Sequence, residues 1–138
     1  MNLLIVPGEL ESLAAIYEFV DQAAQMAGLA RGDAYRLRLA VDEIATNAII
    51  YGYAGQEGEL NLHARLDGYT LSVFLEDSGP PFDPWCQSPP ADLQQPLTRR
   101  QPGGLGIYLA RYGADSVAYE RVGNRNRTCL TIKRPSPV

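Results

Sequence analysis

The sequence predicts an α+β protein: a two-layer α/β sandwich with a mixed, mostly antiparallel sheet and helices on one face. Three observations carry this. Two segments in the first third repeat apolar residues at helical spacing. Two later pairs of short segments alternate apolar and polar residues on either side of turn-forming residues, as hairpins do. The resulting order, β-α-α-β-β-loop-α-β-β, sets antiparallel strand pairs beside helices that must cover one sheet face.

Residues 2–6 (NLLIV) read as a short strand stopped by Pro7-Gly8. Between residues 9 and 28, Leu10, Leu13, Ala14, Tyr17, Val20, Ala24 and Ala27 recur at helical spacing, and Gly28 ends the helix. Asp33 is the expected N-cap of a second helix running to about Tyr51 and stopping at Gly52. Period two then takes over. Leu60, Leu62, Ala64 and Leu66 alternate with polar residues, Asp67-Gly68 supplies a two-residue turn, and Leu71, Val73 and Leu75 alternate again. Residues 83–102 (DPWCQSPPADLQQPLTRRQP) hold five prolines and no periodicity. GGLGIYLARYG then reads as a glycine loop opening a short helix that Gly113 stops, and alternating runs at 117–119 and 128–132 flank the turn-rich GNRN.

Composition bounds the function. A chain of 138 residues, 46% hydrophobic and 20% charged, is one ordinary domain. Net charge is −4, from 12 basic and 16 acidic residues, and no basic run occurs, which argues against nucleic acid as a partner. The apolar run in MNLLIVPGEL is too short for a signal peptide or a membrane span, so no membrane partner is expected. Cys86 and Cys129 match no metal-ligand spacing and no disulfide framework, and a reducing cytoplasm is the expected location.

The chemistry begins in VDEIATNAIIYGY, residues 41–53. Leu37, Val41, Ile44 and Ala48 form the centre of an apolar stripe. Glu43 and Asn47 lie about 40° apart on its flank. By itself such a pair is more often a solvated flank, and E-x-x-x-N alone is a weak signal. With a nucleotide pocket beside it, the amide oxygen suits Mg²⁺ and the carboxylate can accept a proton from an attacking hydroxyl. No G-x-x-x-x-G-K-[ST] occurs, which excludes a P-loop.

Asp77 shares the parity of Leu71, Val73 and Leu75 and so points inward. A carboxylate there needs hydrogen bonds. An exocyclic amine of adenine is one donor, with Gly79 allowing a flat base close to the backbone. A turn that binds its own backbone at Ser78-Gly79 is the other reading. Thr128 shares the inward parity of Leu130 and Ile132, as a core threonine or as a residue that reaches the same base. In PGGLGIYLAR, Gly103, Gly104 and Gly106 precede a helix whose free N–H groups can hold an anion. The long proline-rich segment before it suits a lid, and Arg99 and Arg100 at its end could meet phosphates.

Together, VDEIATNAIIYGY, EDSGPPFDP and GGLGIYLAR resemble the N, G1 and G2 boxes of the GHKL (Bergerat-fold) superfamily, the histidine-kinase-like ATPase domains. The D-E-x-x-T-N-A and D-S-G-x-P-F-D-P pattern is most similar to bacterial anti-sigma factor serine/threonine kinases. The resemblance covers nearly the whole chain and implies one ATPase domain over 1–138 with its ATP lid at about 83–103. It implies Glu43 as general base and Asn47 as Mg²⁺ ligand and nucleotide contact. It makes Asp77 the adenine-binding aspartate with Gly79 beside it, and Thr128 a residue near adenine. Gly104, Leu105 and Gly106 become the phosphate loop, with Arg100 the nearest match to an arginine before those glycines. The implied cofactors are ATP and Mg²⁺. The implied partners are a STAS-domain anti-anti-sigma protein, which is phosphorylated, a sigma factor, and a second copy of the chain. Tyr51 departs from the histidine or lysine that many relatives carry, and the lid lacks lysine. An ATP-binding switch that sequesters a sigma factor without kinase activity is the alternative. A detached histidine kinase catalytic domain fits less well, because the single histidine, His63, falls on a predicted strand.

Overall fold

The structure, a computed structural model, describes residues 3–81 and 113–135. Its elements are β1 (Leu3–Pro7), a 3₁₀ turn at Leu10–Ser12, α1 (Leu13–Ala27), α2 (Arg31–Asn47), a π-helical segment (Ala48–Tyr53), β2 (Glu59–Leu66), β3 (Thr70–Asp77), β4 (Ser116–Val122) and β5 (Arg125–Lys133). The strands form one sheet in the order β1-β2-β3-β5-β4, and every neighbouring pair is antiparallel. The α+β sandwich expected from the sequence is present. The lid and the glycine loop, with Arg99, Arg100, Gly103, Gly104, Leu105 and Gly106, lie outside the described residues.

Alternation decides which sheet face is covered. Leu60, Leu62, Leu71, Val73, Leu75, Leu130 and Ile132 are all buried. They meet Ile16 and Val20 of α1 and Leu37, Val41 and Ile44 of α2 in one core. Removing such apolar area from water contributes roughly 25 cal/mol per Å². On the opposite face His63 stacks on Phe74 with ring centroids 4.3 Å apart.

Local structure departs from sequence expectation at three boundaries. Asp33 is not the N-cap of α2: the helix begins at Arg31 with Ala30 as cap, and Asp33 accepts a hydrogen bond from Arg36 Nη1 at 3.1 Å instead. The helical winding does not stop at Gly52. It passes into the π segment and ends at Ala54, whose N–H donates to Ile49 O at 3.2 Å. The first hairpin turn is shifted by one residue. Asp67 N donates to Thr70 O, so Gly68-Tyr69 form the turn. The Asp67 carboxylate caps it by accepting from Tyr69 N, Thr70 N and Thr70 Oγ1, and these bonds hold its pKa below the usual value.

The π segment brings Tyr53 inward. Its ring lies between Gly8 and Gly58, where an added Cβ would meet ring carbons at 2.5 and 2.1 Å respectively. Glycine at both positions is therefore a packing requirement.

Candidate active site

Three elements converge at the end of α2. Asn47 is the last residue of its α-helical part and is 8% exposed. Asp77, the last residue of β3, is 8% exposed, and Thr128 on β5 is 5% exposed. These three polar side chains line one cavity of about 110 Å³, with Ile44, Ala48, Tyr51, Gly52, Pro80, Pro81 and Asn126 around them. A larger groove of about 900 Å³, around Gly8, Glu57 and Ile50, contains none of the expected site residues. Convergent polar groups, and not size, single out the smaller cavity.

Two of its groups are incompletely satisfied within the described residues. The Asn47 Nδ2 is buried with no hydrogen-bond partner there. Asp77 Oδ1 accepts from Gly79 N at 2.8 Å and from Asn126 Nδ2 at 3.0 Å, whereas no donor among the described residues reaches Oδ2. The backbone-binding reading of Asp77 is thus correct for one oxygen and leaves the other available. A buried polar atom without a partner forfeits its hydration, so Asn47 Nδ2 at the cavity wall is suited to a ligand acceptor.

Gly79 does not line the cavity. A Cβ there would meet Asp77 Oδ1 at 3.0 Å and the backbone of Gly52 at 3.5 Å, so the close approach it permits is to this chain's own π segment. Glu43 is half-buried one helical turn before Asn47 and also lies outside the cavity lining. Burial, and then the neighbouring Asp42 charge, raise its pKa above the ordinary glutamate value, which makes it a better proton acceptor. Asp42 is itself held. The Tyr17 hydroxyl of α1 donates to Asp42 Oδ1, and Thr46 Oγ1 lies 3.4 Å from the same oxygen. That bond, with burial, pushes the Tyr17 hydroxyl up to about 12, and the Arg38 guanidinium sits 4.7 Å over the Tyr17 ring.

Two residues that sequence reasoning passed over shape the site. Tyr53 OH donates to Glu59 O at 2.5 Å and accepts from Ser78 N at 2.9 Å, fixing the residue that follows Asp77. Asn126 is 5% exposed and bridges Asp77 to Pro80 O. Its place in GNRN reads as a turn, and only the register of β5, which begins at Arg125, reveals it as an inward strand residue. Among the described residues no cluster of three or more His, Cys, Asp or Glu could hold a metal. The donor set instead suits a hard cation that takes one protein ligand and fills its shell from phosphate and water. Among them, too, no helix is long and apolar enough to cross a membrane.

The family profile of the histidine kinase-like ATPase domain matches residues 6–133. The chain is 26% identical over 115 residues to the serine-protein kinase RsbW of Bacillus cereus strain AH187, covering 81% of this chain and 72% of that one. RsbW of Bacillus anthracis gives the same values. The crystal structure of the RsbU and RsbW domains of Rv1364c from Mycobacterium tuberculosis superposes with a TM-score of 0.66 at 15% identity. That likeness extends over 99% of this chain, which spans about a third (34%) of the other, and it concerns the fold.

Proposed function

We propose that this chain, which belongs to the histidine kinase-like ATPase domain family, is an ATP-dependent serine/threonine protein kinase of the anti-sigma type that phosphorylates a STAS-domain anti-anti-sigma protein. The observation that carries the reading is the one cavity on which Asn47, Asp77 and Thr128 converge, where Asn47 Nδ2 and Asp77 Oδ2 have no hydrogen-bond partner among the described residues. The likeness to RsbW proteins, named as serine-protein kinases, supports the protein-kinase part.

The residues have separate tasks. Asp77 Oδ2 would accept from the exocyclic amine of adenine, and Thr128 would face the same ring. Asn47 Nδ2, without a partner among the described residues, fits a phosphate oxygen, and the oxygen of the same amide is a hard donor that would hold Mg²⁺. Bound Mg²⁺ would supply charge neutralisation on the phosphates. Glu43 would take the proton of the partner's hydroxyl. The hydroxyl oxygen forms its bond to the γ-phosphorus as the bond to the bridging oxygen breaks, and ADP leaves. Gly104, Leu105, Gly106 and Arg100 remain assigned to the phosphates by resemblance.

A phosphotransfer experiment tests this. The purified chain with Mg-ATP is incubated with each STAS-domain protein of its own genome, and each partner is weighed by intact mass spectrometry. One partner gains a phosphate, and Glu43→Ala abolishes the gain while ATP still binds. Unimpaired transfer by Glu43→Ala overturns the assignment of the base. ATP binding with no transfer to any partner favours the non-catalytic switch that sequesters a sigma factor.

A further inference from the structure

The hydrogen bonds around Asn126 have a consequence for which base the site accepts. Asp77, Asn126 and Arg121 stand in one row across β3, β5 and β4, each opposite the next in the ladder. The amide orientation of Asn126 follows from the chemistry of its neighbours. On one side stand acceptors: Asp77 Oδ1 at 3.0 Å, Pro80 O at 2.8 Å and, at the 3.5 Å limit, Gly79 O. On the other stand Arg121 Nη1 at 3.0 Å, which can only donate, and the Tyr119 hydroxyl at 2.5 Å. Nδ2 must therefore face Asp77 and Oδ1 must face β4. Arg121 Nη1 also donates to Gly79 O at 2.8 Å, tying the same turn to β4.

Both N–H bonds of the Asn126 amide and both lone pairs of its oxygen are thus used within the protein. Asn126 lines the cavity but is not free to read a ligand. What it does is settle the carboxylate. With Oδ1 of Asp77 held by Gly79 N and Asn126 Nδ2, the carboxylate cannot rotate without breaking two hydrogen bonds inside a buried site. No donor among the described residues reaches its other oxygen, which is left as a fixed acceptor at the cavity.

Resting on the ATP-site reading above, we infer that Asn126 is the positioning residue for base choice. By holding Asp77 it makes the cavity select a purine with an exocyclic amine at the position that meets Oδ2. A fixed acceptor rewards a donor and penalises a base that leaves it unpaired, and the discrimination is lost when the acceptor can turn away. Asn126→Leu keeps a similar side-chain size and removes the donor without adding charge, and Asn126→Ala removes both.

The test compares dissociation constants of the full chain for ATP and for purine riboside 5′-triphosphate, which lacks the 6-amino group, by calorimetry, with thermal melts to register the fold. The wild type binds ATP at least about tenfold more tightly than the analogue, the factor expected from one hydrogen bond to a charged acceptor. In a folded Asn126 variant that ratio falls at least about fivefold, mostly through weaker ATP binding. Should Asn126→Ala fail to fold, Asn126→Leu decides. A wild type that binds both nucleotides equally, or a folded variant that weakens both equally and keeps the ratio, overturns the inference while leaving the ATP site intact. A wild type that binds neither nucleotide overturns the ATP-site reading itself.

Discussion

Replacing Tyr53 by phenylalanine isolates the hydroxyl that joins the π segment to the turn after Asp77. The ring stays between Gly8 and Gly58, so no cavity opens and the apolar burial is kept. What is lost is chiefly the bond to Glu59 O at 2.5 Å and the bond from Ser78 N at 2.9 Å, beside a longer contact with Ser78 Oγ at 3.2 Å. At about 1 kcal/mol for each hydrogen bond, the loss is about 2 kcal/mol. An unfolding entropy of about 2.1 cal/mol/K per residue converts this, for this chain length, to a fall in Tm of about 7 °C. Differential scanning calorimetry reads it directly. Because Ser78 adjoins Asp77, nucleotide affinity falls as well, by about fivefold if half of the loss reaches the site. A Tyr53→Phe protein that melts within about 1 °C of the wild type would refute the reasoning, since the hydroxyl would then carry no net stability.

Three further outcomes follow from the same geometry. Glu43 has a folded-state pKa above its unfolded value of about 4.5, so its charge opposes folding at pH above both values; Glu43→Gln melts higher than the wild type at neutral pH, and a series of melts shows the difference closing as pH falls through the raised value towards about 4.5 and gone below it. Tyr17 has its pKa raised from 10.0 to about 12 by the bond to Asp42, so its stabilisation is complete below about pH 10 and is lost as pH rises through 12; Tyr17→Phe flattens the pH dependence of urea unfolding across that window. Ala54 holds φ at 52°, a left-handed conformation that disfavours a Cβ; Ala54→Gly raises stability by about 0.5–1 kcal/mol in denaturant titration, the relief of strain exceeding the added chain entropy.

Much of the architecture was legible because it rests on periodicity. Alternation in β2 and β5, and the shared parity of Leu71, Val73 and Leu75 in β3, mark the buried face, and that parity turns Asp77 and Thr128 inward, as they are found. Boundaries were less legible because tertiary contacts set them. Asp33 has the chemistry of an N-cap, but its ion pair with Arg36 uses it one turn later. Gly52 looks like a stop, but the demand to bury Tyr53 carries the winding past it in π form. Asn126 was hidden for a related reason. An asparagine near a glycine signals a turn locally, and its alignment with Asp77 exists only in the β3–β5 ladder. Tyr53 gave one weak sign, an aromatic just past a glycine, whereas its partners Gly8, Gly58 and Ser78 are scattered along the chain.

The cross-strand contact between Asp77 and Asn126 spans 49 residues, and β5 enters the sheet between β3 and β4 although it is made after both. The cavity therefore has no complete wall until the last strand has been inserted. A chain still being synthesised carries Asn47 and Asp77 but cannot yet hold a ligand between them and Thr128. Ligand present during synthesis would stabilise only molecules in which β5 is already in the sheet, by mass action on that form. Closing so long a loop is slow compared with forming the α1–α2 pair. Acquisition of the ligand thus becomes a late event in the life of each molecule, one that reports that the C-terminal hairpin is in place.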